Sequence, residues 1–216
     1  MNGKIAGKVC ALALAGVAWQ STGARAEIVG GGAPATPGAD FVILDPPPAT
    51  VGGNTFQSPS LVGFDELQDI VLTEDLMLGP NRTLPAGSTV SSHYIAFDPD
   101  GPGAIDGFVL FDEPIVAIIG TPPGLNGTAG LFGLPGTSYS AGGAIGPDNG
   151  QGPNAGDQVR VSQNNPRRLN FTAGANNPGD QVRVLTGTLV PEPAGVFLLA
   201  IAACYVAAAR PSRRKF

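Results

Sequence analysis

Away from its two ends, the chain carries its apolar residues in short runs separated by turn residues. From Val90 to Phe97 the run alternates: His93, Ile95 and Phe97 fall on one face of an extended chain, Tyr94 and Ala96 on the other. Gly107 to Asp112, Ile115 to Ile119, Gln158 to Ser162, Leu169 to Thr172 and Gln181 to Val190 read the same way, bounded by Gly, Pro, Asp and Asn. The one hint of a 3.6-residue stripe is Phe64, Leu67, Ile70 and Val71, which predicts a single short helix. Together these patterns predict an all-β fold, an antiparallel β-sandwich or jelly-roll-like domain, over residues 61–190. Residues 27–60 are mostly Gly, Pro, Ala and Thr, and are expected to form a loosely ordered arm apart from Phe41 to Leu44.

The ends follow a different rule. Lys4 and Lys8 precede an eleven-residue apolar run, Val9 to Trp19, and Ala24 and Ala26 supply small residues at −3 and −1 of a cleavage site before Glu27. This is the layout of a secretory signal peptide over residues 1–26, and the run is shorter than the roughly 18 apolar residues an uncleaved anchor needs. At the other end, Ala194 to Ala209 is 16 residues without a charge. As a helix it spans about 24 Å against a hydrocarbon core of about 30 Å, a short transmembrane helix. Arg210, Arg213, Arg214 and Lys215 would hold the tail on the cytoplasmic side. Pro191 and Pro193, flanking Glu192, keep the preceding backbone extended.

The order of Pro191-Glu192-Pro193, apolar run and basic tail over residues 191–216 resembles the PEP-CTERM sorting signal of Gram-negative bacteria. The resemblance implies recognition by an exosortase, a membrane-embedded cysteine protease-like enzyme, with cleavage near the motif and delivery to the cell surface or extracellular polymer. The central part also resembles a recurrent PEP-CTERM protein type, through "LTEDL" (72–76), "SSHYIAFDPD" (91–100), "GFVLFDEPI" (107–115) and "PGDQVRVLTGTLVPEP" (178–193). That likeness implies an exported β domain and supplies no catalytic residues.

Charge and chemistry narrow the function. Without residues 1–26 and 191–216 the chain keeps five arginines, no lysine and 16 carboxylates, a net charge of −11. Such a surface repels nucleic acid and anionic lipid and favours cations or neutral polymers. Cys10 and Cys204 both lie in the terminal segments, so the domain has no disulfide, no thiolate nucleophile and no cysteine-ligated metal. His93 is its single histidine, which excludes a histidine metal cluster, and no Gly-x-Ser-x-Gly elbow accompanies it. Carboxylates are the abundant chemistry: Asp65, Glu66, Asp69, Glu74, Asp75, Asp112 and Glu113 are all candidates for a hydrolase pair, and none stands out. Asp98, Asp100 and Asp106, in "DPDGPGAIDG", offer a possible calcium site, although Pro102 and Val109 occupy positions where an EF-hand loop needs oxygen donors. The hexapeptide "GDQVRV" occurs at Gly156 to Val161 and at Gly179 to Val184. Each copy reads as a turn opening a strand, its valines inward and Arg160 or Arg183 outward, with an arginine-lined ligand site as the alternative.

The expectation is therefore a non-enzymatic, exported surface or matrix protein. Signal peptidase and an exosortase would process it, the inner membrane would hold it transiently, and extracellular polysaccharide is a possible partner. A polysaccharide- or calcium-binding module and a carboxylate-dependent hydrolase are the alternatives.

Overall fold

The computed structural model describes residues 25–79, 82–139, 156–175 and 179–189. In chain order the strands are β1 (Ile28–Gly32), β2 (Phe41–Ile43), β3 (Thr50–Val51), β4 (Leu61–Asp65), β5 (Ile70–Val71), β6 (Leu76–Gly79), β7 (Arg82–Leu84), β8 (Thr89–Phe97), β9 (Gly103–Phe111) and β10 (Ile115–Ile119). Helix α1 (Pro122–Phe132) follows, then β11 (Ser138–Tyr139), β12 (Gln158–Ser162), β13 (Asn165–Ala175) and β14 (Asp180–Thr188). A four-stranded antiparallel sheet runs β1-β9-β13-β12. A larger sheet runs β10-β14-β8-β4-β2, with β5 also on β8, and is antiparallel except where β2 joins β4.

Side-chain alternation makes the two sheets a sandwich. Val109, Phe111, Leu169 and Phe171 of the smaller sheet share one core with Leu61, Ile95, Phe97, Val182 and Val184 of the larger. Each such side chain contributes about 1.5–3 kcal/mol when fully buried. The larger sheet has a second apolar face, where Phe64, Tyr94 and Leu185 pack beneath Leu125 and Phe132 of α1 together with Val51, Leu72 and Leu84. Strands β8 and β14 are consequently buried on both faces.

Two expectations are corrected. The Gly/Pro-rich segment 27–60 is not a loose arm outside the strand expected at Phe41 to Leu44, which forms as β2: β1 pairs with β9 and β3 with β11. Glycine permits this: a Cβ on Gly31 would stand 2.5 Å from the Phe108 carbonyl oxygen and 2.6 Å from the Phe41 ring, so no other residue lets β1 lie this close. The stripe of Phe64, Leu67, Ile70 and Val71 is not helical; it spans β4 and β5. The helix instead forms at "PPGLNGTAGLF", a glycine-rich segment of low intrinsic propensity. Thr121 caps it, accepting from the Gly124 amide at 3.3 Å, Pro122 opens it, and burial of Leu125 and Phe132 holds it in place.

Among the described residues, no helix is long and apolar enough to cross a membrane. The signal run with Ala24, the motif Pro191-Glu192-Pro193, the apolar tail and Arg210, Arg213, Arg214 and Lys215 lie outside the described residues. Ala26 is described and buried, and the Glu27 amide behind it donates to Asp112 Oδ1 at 2.7 Å.

Candidate functional site

The carboxylates of the possible calcium loop are not gathered. Asp98 is fully buried; its Oδ2 accepts from the Phe56 and Gln57 amides at 2.8 and 3.4 Å, and its Oδ1 from the Gly179 amide at 3.2 Å. It ties the N-terminal segment to the turn before β14. Asp100 is exposed on the β8–β9 turn, and Asp106 is exposed on β9. Among the described residues, no three His, Cys, Asp or Glu side chains are grouped to hold a metal ion.

Two buried polar networks run through the larger sheet. His93 Nδ1 lies 2.6 Å from Asp65 Oδ1, and its Nε2 lies 2.9 Å from Thr186 Oγ1. A carboxylate only accepts, so Nδ1 donates to Asp65, and the second ring nitrogen shares a hydrogen bond with the Thr186 hydroxyl. The order hydroxyl, imidazole, carboxylate is that of a hydrolytic relay. Here, however, His93 and Thr186 are both 0% exposed, and the imidazole packs 4.8 Å from the Phe111 ring. The relay satisfies buried polar groups and presents no nucleophile to solvent. Asp65 stands 28 residues before His93 and Thr186 stands 93 after it, so only the strand register of β4, β8 and β14 unites them.

Beside it, Arg183 and Glu66 form a bidentate pair, Nε to Oε2 at 2.6 Å and Nη2 to Oε1 at 2.9 Å, with both side chains 0% exposed. Arg183 Nη1 also donates to the Leu125 carbonyl and to Thr128 Oγ1, and Ser92 Oγ donates to Glu66 Oε2. Burial alone would depress the guanidinium, but the hydrogen bonds and charge of Glu66 hold it above its ordinary value. Burial raises the neighbouring Tyr94 and Tyr139 hydroxyls above theirs. The outward placement expected for Arg183 is thus overturned: the second core covers the face it points to. Of the remaining carboxylates, Asp75 accepts from the Ala86 amide, and Glu113 is raised above its ordinary value by partial burial and by the charges of Asp112 and Asp69.

The accessible polar surface is the outer face of the four-stranded sheet. Strand register sets Arg160 opposite Asn170 and Gln158 opposite Thr172. On the next strand Asn170 faces Phe108, and Thr172 faces Asp106. Arg168, two residues before Asn170, lays its guanidinium 3.9 Å over the Phe108 ring and donates from Nε to Asn170 Oδ1 at 3.0 Å. Thr172 Oγ1 donates to Asp106 Oδ1 at 3.3 Å. Two adjoining hollows of about 530 and 360 Å³ follow this face and share Ala35, Asp106 and Thr172. The repeat identified Arg160; nothing in sequence placed Arg168 or Phe108 beside it, because the bulge between Val161 and Ser162 sets the β12–β13 register. No protein-family model, curated protein or solved structure matches the chain.

Proposed function

We infer that the protein is an exported, non-catalytic component of the cell surface or extracellular matrix. The observation that carries this reading is the order of its C-terminal segments, Pro191-Glu192-Pro193, an uncharged apolar run and a basic end, behind an acidic β domain without cysteine in its folded part. On this reading the signal segment is removed before Glu27, and the C-terminal helix holds the chain briefly in the inner membrane. An exosortase-type enzyme then cuts near the motif and passes the domain to the surface or to extracellular polymer. Burial of the His93 relay supports a role without turnover, since its hydroxyl and imidazole are closed to substrate. Intact-mass spectrometry of the protein recovered from its host's surface and medium tests the reading. A species running from Glu27 to near Pro191 is expected; a mass retaining residues 194–216 would overturn the sorting step.

A further inference from the structure

The net charge of the domain points to cations or neutral polymers as partners, but the distribution of its arginines points elsewhere. Of the five arginines between Glu27 and Val190, Arg183 is consumed by Glu66 in the interior. Three of the other four, Arg160, Arg167 and Arg168, lie on the single hairpin β12–β13. Carboxylates outnumber arginines by sixteen to five in this segment, so a guanidinium that only needed neutralising would find a carboxylate nearby. Arg160 has none: among the described residues its guanidinium enters no hydrogen bond or ion pair. Arg168 is oriented by an aromatic face and an amide oxygen, neither of which cancels its charge. Stacking leaves the edge of a guanidinium, with its Nη donors, free for bonding in the ring plane. Two carboxylates border the face at its other end: Asp106, which accepts from Thr172, and the buried Asp157, which accepts from the Gly174 amide.

We propose that this outer face binds an acidic polysaccharide, with uronate carboxylates received by Arg160 and Arg168 and sugar hydroxyls by Gln158, Asn170 and Thr172. Guanidinium forks match carboxylates in two parallel hydrogen bonds, while Asn170 beside the arginines and Gln158 and Thr172 in the next row beyond Arg160 offer both donors and acceptors to a polyol. Arg160 and Arg168 sit diagonally on neighbouring strands, about 7–8 Å apart at the backbone. The two hollows continue the surface past Thr172 as an open trough, suited to a chain rather than a small ion. A nucleic acid fits poorly, because one charge per about 1.7 Å of duplex meets only two cations here and is repelled by the remaining acidic surface. A polymer with one carboxylate per sugar presents its charges singly and sparsely.

The inference rests on the export reading for where the polymer is met, and its test is separate from that reading's. Full-length protein in detergent micelles is run in native gels containing polygalacturonate, dextran or duplex DNA at low salt. Retardation by polygalacturonate alone is expected, weakened about tenfold by R160Q or by R168Q, the loss of a charge-assisted hydrogen bond. R167Q removes the same charge from the same hairpin, but near Glu113 and off this face, and should leave retardation unchanged. Equal retardation by dextran, a preference for DNA, no retardation by polygalacturonate, or an R160Q/R168Q double variant that binds like the parent would each overturn the proposal. Should R168Q lower the melting temperature, R160Q decides alone, because its guanidinium holds nothing else in place. Whatever the gels show, the masses of the processed chain remain an independent measurement.

Discussion

At the scale of single residues, the sharpest energetic statement concerns Glu66 and Arg183. Each is fully withdrawn from water and each satisfies the other, so removing one strands a charge in the interior. Glu66→Gln and Arg183→Met are each expected to cost about 3–5 kcal/mol, whereas the double variant Glu66→Leu/Arg183→Met should fall within about 1 kcal/mol of the parent or above it. Urea unfolding of the three variants checks this; a single variant as stable as the parent would mean that the pair is hydrated. The same two residues mark what local sequence could not reveal. Both copies of "GDQVRV" have the same alternation, yet Arg160 lies on a sheet with one open face and Arg183 on a sheet covered on both. Period two tells which residues share a face, not whether a second layer covers it.

At the scale of elements, β8, β10, β12 and β14 were legible because alternation and flanking turns agreed; β10 and β12 fall where the pattern put them. Phe41 to Leu44 was legible too and forms as β2, but β1 and α1 were not, for one physical reason: glycine. It suppresses the propensity signal while enabling the close approach or tight packing that tertiary structure exploits. The two kinds of glycine respond oppositely to a methyl group. Gly31→Ala meets a backbone oxygen and an aromatic ring and should cost at least about 1–3 kcal/mol by forcing β1 from β9. Gly127→Ala, on an open surface of α1 with nothing within 4 Å, should gain about 0.5–1 kcal/mol of helix propensity. Thermal melts of the two variants should therefore shift in opposite directions, and a Gly31→Ala chain that melts like the parent would refute the close pairing of β1.

At the scale of the whole molecule, sequence conveyed the class of fold. It did not convey the three-layer arrangement or the site on the outer face, because both depend on register between segments far apart in the chain. His93 on the face of Ile95 and Phe97 was readable; Thr186 as its partner was not. The layering also has a consequence for time. Strands β8 and β14 are bonded to neighbours along both edges and lie between two cores. Deuterium can reach their amides only when the domain opens as a whole, whereas β12, at the margin of its sheet, can fray alone. Hydrogen exchange followed by mass spectrometry should find Val90–Phe97 and Gln181–Thr186 the slowest segments and Gln158–Ser162 much faster; equal rates would mean that both sheets open together. The strand that carries Arg160 would then be the part of its sheet that breathes on short timescales, packed across the core from strands that hardly exchange at all.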